Sequence, residues 1–224
     1  MSFQPGPYPF FANASRVRTT VDGVARLVTD AQRWFATHGR SDFMWFLGPS
    51  STPGNLREVL IGYGAVLESE DTALVLTEEP PPAVEVCRVN TRQEFTAFRE
   101  LMLLESADQV SPDVQAVVAA GHEQAWADLQ AYQGRRMNFL AYLDGVAQSA
   151  ASLLIGDDHL GILAGGTTRS TARGQGCYRA LVSAHWQAAR QAGCTALAVQ
   201  ASTMSAPILS NLGFRQVAAL TVLR

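Results

Sequence analysis

The sequence predicts an α/β protein whose sheet carries helices on both faces and is mostly antiparallel in its first half. Three observations support this prediction. The apolar patterns that follow residue 83 give the element order β-α-α-β-β-β-α-β-α-β. The pair Asp144-Gly145 stands between two apolar runs, which is a strong sign of a β-hairpin. The glycine-containing loop at residues 173–176 opens directly into an amphipathic helix.

The N-terminal region shows a short α/β pattern of its own. Apolar residues fall on one helical face from Val24 to Phe35, and His38-Gly39 ends this helix. The further predicted elements are a strand at residues 43–47, a short helix at 54–62 and a strand within 65–76.

A run of three prolines, Pro80 to Pro82, divides the chain, because proline joins neither a helix nor a central strand and favours an extended spacer. We therefore predict an α/β region at residues 1–79, a proline linker at 80–83 and a larger domain at 84–224.

The larger domain begins with an alternating pattern that predicts a strand at residues 84–89. Thr91 followed by Glu94 is a capping box that opens a helix. Ser111-Pro112 starts a second helix that runs to about Tyr132. The remaining predicted elements are hairpin strands at residues 137–143 and 146–155, a glycine-rich strand at 160–168, a helix that follows the loop and ends at Gly193, a strand at 195–200, a short helix at 205–211 and an extended segment at 214–223.

Composition and charge limit the classes of function. The chain has 224 residues, of which 47% are hydrophobic, and this supports a buried core. A net charge of −3 argues against a nucleic-acid partner, because binding to a phosphate backbone needs a basic surface. No apolar run approaches the roughly 20 residues that span a bilayer, so we expect no membrane association.

Cysteine usage indicates a reducing environment. Cys87, Cys177 and Cys194 form no Cys-x-x-Cys pair and cannot all pair with one another, which favours the cytoplasm. The N-terminus has neither a basic region nor a long apolar run, so we expect no signal peptide. We also expect no bound metal.

The loop at residues 173–178 has the composition of an anion-binding site. Gly174 and Gly176 let a bulky anion approach the main chain, and the first N–H groups of the following helix carry the positive end of its dipole. Glycine-rich loops also bind dinucleotides and nucleoside triphosphates. However, the chain has no GxGxxG or GKS/T pattern here, and a dinucleotide fingerprint would stand early in a βαβ unit.

The two parts of the chain share an order of predicted elements, which we call the internal echo. A tryptophan-bearing helix, a glycine, a strand, a turn and a short helix follow one another both before residue 64 and before residue 214. Duplication explains this echo, but the same order of elements is common in α/β proteins. The N-terminal copy has nothing like the glycine loop, so we do not expect it to bind the same anion.

The segment at residues 168–214 resembles the GNAT N-acetyltransferase superfamily, which binds acetyl-CoA. The loop of that family reads Arg/Gln-x-x-Gly-x-Gly/Ala, which Arg173 and Gly176 match, whereas Tyr178 replaces the last Gly or Ala. The ending Leu212-Gly213-Phe214 is also typical. The resemblance covers residues 84–224 and implies a mixed, mostly antiparallel twisted sheet flanked by helices, with the N-terminal region as a partial second copy.

The resemblance also implies where acetyl-CoA binds. The diphosphate is expected on the N–H groups of the loop and helix start, and the pantetheine arm beside the end of the glycine-rich strand. Ser202 takes the place of an asparagine that contacts CoA in many members, or caps the following helix. Arg173 either adds charge to the site or forms only a surface ion pair. The expected cofactor-binding residues are Gly166, Thr167, Thr168, Arg173, Gly174, Gln175, Gly176, Cys177, Tyr178 and Ser202.

The catalytic groups are not evident from the sequence. Many members of the family use a glutamate on the strand before the loop as base, but this strand carries only apolar residues at the matching positions. Leu209 replaces the usual tyrosine acid. His159 and Glu105 are weak substitutes, and both are as easily explained as solvated surface residues. His185 falls on the core face of its helix, and Tyr178 either packs in the core or contacts CoA.

The expected function is therefore transfer of an acetyl group from acetyl-CoA to a primary amine of a small molecule or peptide by direct attack. The alternative is a non-catalytic acyl-CoA-binding sensor or interaction module. We expect a monomer or a homodimer.

Overall fold

A computed structural model describes residues 1–3, 12–81, 86–105, 116, 120–132 and 134–224, and gives only the backbone of residues 2, 3, 104 and 105. The predicted helix start at Ser111 and the first residues of the predicted strand at 84–89 lie outside the described residues. The strands are β1 Ser2–Phe3, β2 Ala12–Ser15, β3 Met44–Leu47, β4 Leu67–Leu76, β5 Val86–Arg88, β6 Arg136–Leu143, β7 Val146–Ile155, β8 Leu160–Thr168, β9 Ala196–Ala201 and β10 Arg215–Leu223. The α-helices among the described residues are α1 Val24–Thr37, α2 Leu56–Gly62, α3 Arg92–Glu105, α4 His122–Ala131, α5 Cys177–Gln191 and α6 Ala206–Asn211.

The chain forms two compact units. The first contains Met1–Ala73, Gln200–Pro207 and Gln216–Arg224, and the second contains Leu74–Val199 and Ile208–Arg215. These boundaries do not coincide with the proline run. The predicted division at residues 80–83, which concerns independently folding domains, stays a prediction.

The first unit is a small α/β layer. Strand β2 pairs in parallel with β3, and the end of β10 pairs antiparallel with the other side of β3. One face of α1, predicted from its apolar spacing, supplies Val24, Val28 and Ala31 to a core that also contains Trp45 and Leu223. Helix α2 contributes Leu56 and Leu60 to the same core.

The second unit holds strands in the order β9-β8-β7-β6-β5. Every pair from β8 to β5 is antiparallel, and only β8 and β9 run parallel. The Asp144-Gly145 hairpin is confirmed, since both residues have the positive φ values, 49° and 75°, that a tight turn between strands requires. The predicted α/β class with a mostly antiparallel sheet is therefore confirmed.

Helices cover both faces of this sheet. Phe98 and Leu101 of α3 pack with Leu140 on one face. Phe139 precedes Leu140 in β6, so its side chain points to the opposite face of the sheet. There it makes an edge-to-face contact with His185 of α5, with ring centroids 4.8 Å apart. The two helices thus lie on opposite faces of the strands that carry the glycine loop.

Candidate functional site

The loop before α5 leaves an open space at the start of the helix. Gly174 and Gly176 have φ values of +79° and +86°, a conformation that favours glycine. A Cβ added at either glycine would meet no atom within 4 Å. Both glycines therefore leave room for a ligand against the main chain.

The main chain at this point has free donors. Gly176 is the N-cap of α5, and none of the described side chains caps the helix. Within the described part of the chain, the N–H groups of Gly174, Gly176, Cys177 and Tyr178 donate no hydrogen bond to a backbone carbonyl. The N–H of Gln175 instead bonds the carbonyl of Ala172 at 3.3 Å, and its side-chain amide bonds Thr171. These free donors, with the positive end of a 15-residue helix, fit a diphosphate. We call them the amide nest.

Strand β8 contains a bulge just before the loop. Ala150 and Ser152 of β7 face Thr167 and Ala164, so that two residues, Gly165 and Gly166, oppose one residue of β7. Gly165 has a φ of +60°. The bulge interrupts regular pairing, which resumes between Ala150 and Thr167, at the point where the ligand arm is expected.

Among the described residues, the other edge of β8 is open beyond its first three residues, which pair with β9. The described pairs between β8 and β9 run only from Leu160 to Ile162, opposite Ala196 to Ala198. From Leu163 to Thr168, β8 has no recorded partner on this side among the described residues. The backbone N–H and C=O groups on that edge are available to a ligand that lies along the strand.

A buried serine fixes the end of β8. Ser149 of β7 is fully buried, and its Oγ donates to the Thr167 carbonyl at 2.6 Å and lies 2.7 Å from Thr168 Oγ1. Beyond it, the Arg169 N–H bonds the Gln148 carbonyl at 2.9 Å. The side chain of Thr168 and the carbonyl of Thr167 thus already have protein partners. No sequence pattern singles out Ser149, since it is one of several small residues in its strand.

The comparisons with known proteins concern the fold. A GCN5-related N-acetyltransferase from Kribbella flavida matches with a TM-score of 0.68 and 20% identity, covering 96% of this chain and 81% of that chain. A tandem GNAT protein from the clavulanic acid biosynthesis pathway, solved without AcCoA, matches with a TM-score of 0.62 and 13% identity, covering 92% and 70%. A GCN5-related N-acetyltransferase from Sphaerobacter thermophilus has a TM-score of 0.62 and 11% identity, covering 91% and 68%.

The chain has the GNAT fold. The three matches extend over more than nine-tenths of it, so the likeness includes the N-terminal region as well as the glycine loop. No protein-family model and no curated protein matches this chain. The origin of the N-terminal region by duplication stays a prediction.

On this GNAT fold, the remaining loop residues have distinct surroundings. Arg173 is exposed and extended, immediately before the amide nest. Cys177 is buried, at 1% exposure, and burial raises the pKa of its thiol. A protonated, buried thiol is a poor nucleophile, which agrees with a packing role for Cys177. Tyr178 is partly buried, with its ring against Gly166.

Ser202 lies in the first unit, next to the start of α6. Its Oγ accepts a hydrogen bond from the Ser205 N–H at 3.4 Å, and its carbonyl accepts one from the Ala206 N–H at 2.9 Å. These contacts are those of a residue at a helix start. A contact between Ser202 and CoA stays a prediction.

The weak catalytic candidates are placed as follows. His159 is exposed at the beginning of β8, five residues before Ala164, which corresponds to about 17 Å along a strand. Glu105 is the last residue of α3, and its side chain lies outside what the structure describes. Leu209, at the position of the usual acid, is completely buried. These positions do not test whether His159 or Glu105 takes part in catalysis.

His185 is a core residue, as its helical face predicts. It is completely buried, and neither ring nitrogen has a hydrogen-bond partner in the described part of the protein. Burial lowers its pKa to about 3, while the backbone of Ala151 acts in the opposite direction. His185 is therefore neutral at physiological pH.

Two features are absent from the described residues. No group of three or more His, Cys, Asp or Glu side chains is arranged to hold a metal ion. None of the helices described has the length and apolar character needed to cross a membrane.

Proposed function

We propose that this protein is an acetyl-CoA-dependent N-acetyltransferase that acts on a primary amine of a small molecule or peptide. The observation that carries the proposal is the succession of the open edge of β8, its glycine bulge and the amide nest. The edge offers main-chain groups to a pantetheine arm, and the nest offers N–H donors to a diphosphate. A CoA thioester has these two chemical parts in this order.

The chain's own residues would act mainly by positioning. The amide nest would hold the diphosphate, and the hydrogen bonds of Ser149 would keep the end of β8 in place for the arm. The acceptor amine must lose a proton when it attacks the acetyl carbon. From Leu163 to Thr168, β8 carries no acidic side chain, so the proton would pass to solvent.

The direct test has two measurements on the full chain. Calorimetric titration with acetyl-CoA should show one binding event, and acetyl-CoA should raise the melting temperature where ATP and NAD do not. Release of CoA thiol should then be followed with a panel of small amines and peptides. A protein that does not bind acetyl-CoA would contradict the proposal.

The second candidate is a non-catalytic acyl-CoA sensor. The observation that favours it is the apolar character of both usual catalytic places, Leu160, Ile162 and Ala164 on β8 and the buried Leu209 of α6. Tight binding of acetyl-CoA without turnover on a broad amine panel would support the sensor and exclude the enzyme.

The location, the acceptor and the oligomeric state of the protein are also proposals. We propose a cytoplasmic location, a small-molecule or peptide amine as the acceptor with no nucleic-acid or membrane partner, and a monomeric or homodimeric state, each from the sequence alone.

A further inference from the structure

Tyr178 is the residue that departs most from the family's loop pattern. It stands in the first turn of α5, where the pattern has Gly or Ala. Its ring reaches β8, where Cε2 lies 2.9 Å from the position that a Cβ on Gly166 would occupy. The phenol therefore lies beside the glycine bulge and not over the outer part of the loop.

Among the described residues, the hydroxyl of Tyr178 has no protein partner. Within the described part of the chain, its phenol oxygen makes no hydrogen bond. Polar atoms at partly buried positions are normally paired with protein or water. An unpaired phenol next to an open strand edge is thus free to donate to a ligand that lies on that edge.

The site otherwise has few side-chain donors. Leu209 takes the position of the usual acid. The Thr168 hydroxyl is engaged with Ser149, and the side-chain amide of Gln175 bonds Thr171. Cys177 is buried. Among the described side chains of the loop and bulge, Tyr178 combines a strong O–H donor with a position facing β8.

We propose that the Tyr178 hydroxyl donates a hydrogen bond to the sulfur of bound acetyl-CoA as the C–S bond breaks, a catalytic role that rests on the proposed function. The amine nitrogen forms the C–N bond to the acetyl carbon, and the electron pair of the C–S bond goes to sulfur. The attacking nitrogen loses its proton to solvent, and the thiolate takes one from solvent.

The tyrosine keeps its own proton in this step. Burial raises the pKa of Tyr178 to about 12, whereas an ordinary thiol has a pKa of about 8.5. Full transfer of the phenolic proton to the thiolate is therefore unfavourable. A hydrogen bond still stabilises the negative charge on sulfur, because charge-assisted bonds are stronger than neutral ones.

The first test needs no acceptor amine. CoA bound to the full-length protein is titrated between about pH 6 and pH 10, and its thiolate is followed by ultraviolet absorbance, with the titration of free protein subtracted. In Tyr178→Phe the thiol pKa of bound CoA should be about one pH unit higher than in wild type, because the thiolate has lost a donor. Tyr178→Ala, which installs a family residue, should show the same rise.

The second test uses turnover with an amine taken from the panel. Tyr178→Phe should lower kcat about 10-fold and leave the KM for acetyl-CoA within about twofold. Tyr142→Phe is the matched control, because burial also raises the pKa of Tyr142 to about 12, but its hydroxyl accepts from Cys87 on β5. The control should leave both constants unchanged.

The outcomes separate two failures. A wild-type protein that does not bind CoA overturns the proposed function and the role of Tyr178 with it. Binding of CoA with the same thiol pKa in wild type and in both Tyr178 variants overturns the role of Tyr178 alone. A loss of kcat shared equally by Tyr142→Phe would also overturn it, since the effect would then be structural.

Discussion

Gly176 is the single residue on which the amide nest depends most directly. It is the N-cap of α5 in the left-handed conformation, and a side chain there would project into open space. Asn and Asp tolerate this conformation better than other side chains do. A carboxylate at this position would compete with the ligand for the free N–H groups and repel its diphosphate.

We expect Gly176→Asp to raise the acetyl-CoA Kd about 100-fold relative to Gly176→Asn, because the two variants differ in charge and hardly in shape. Isothermal titration at low and high salt measures the difference, which should shrink as salt screens the repulsion. Equal affinities of the two variants would show that the diphosphate does not bind at the amide nest.

The burial of His185 predicts that the stability of the folded protein falls in acid. Its pKa is about 3 in the folded protein, against about 6.5 when unfolded. The neutral ring therefore favours folding above pH 6.5, and this contribution is lost as the pH falls from 6.5 toward 3. We expect wild type to lose about 2–3 kcal/mol more unfolding free energy between pH 6.5 and pH 4.5 than His185→Leu does.

Urea unfolding at both pH values measures this loss. His159→Asn is the control, since His159 is exposed and has a positive φ that asparagine tolerates. The control should follow wild type. An identical pH dependence of wild type and His185→Leu would show that His185 is not the group responsible.

At the scale of elements, the bulge of β8 joins strand pairing to the proposed site. Gly165 has a φ of +60°, and a Cβ there would lie 3.2 Å from Met102 Cε. Any other residue would strain the backbone or flatten the bulge. The bulge thus links α3, which carries Met102, to the position of the open edge.

We expect Gly165→Ala to lower stability by about 1–2 kcal/mol and to raise the acetyl-CoA Kd. Gly193→Ala is the matched control, because Gly193 has a φ of +83° with open space around it, at the end of α5. The control should lose similar stability without a change in Kd. Parallel thermal melts and titrations test this, and a Kd that rises equally in both variants would assign the effect to lost stability.

Elements with local signals were predictable from the sequence. Thr91 and Glu94 do form a reciprocal capping box, with N–H···O distances of 2.9 and 3.2 Å. A hydrogen bond from the Asn90 N–H, together with those of Thr91, lowers the Glu94 pKa, which burial acts to raise. The bulge could not be placed from the sequence, because it depends on the register of β8 against β7. Ser149 was missed for the same reason, since its partners are 18 and 19 residues away.

At the scale of the whole molecule, the composition of the two units predicts how truncation acts. Leu74 and Leu76 belong to the second unit and are each 2% exposed. Residues 216–224 belong to the first. A fragment of residues 84–224 therefore lacks two core leucines and separates the last segment from most of its unit.

We expect this fragment to melt at least about 10 °C below the full chain, since each buried leucine contributes about 1.5–3 kcal/mol. A fragment of residues 74–224 restores both leucines and should melt between the two. Circular dichroism melts of the three proteins test this. A fragment of residues 84–224 as stable as the full chain would instead support the predicted domain division at residues 80–83.

The burial of the cysteines has a practical consequence for following the ligand. Cys177 and Cys194 are buried, whereas Cys87 on β5 is partly accessible. A maleimide fluorophore added briefly to the native protein should react at one position, which a Cys87→Ser variant would identify. The label then lies on the edge strand β5 while Cys177 at the helix start stays unmodified, so a fluorescent protein can be titrated with acetyl-CoA without any engineered thiol.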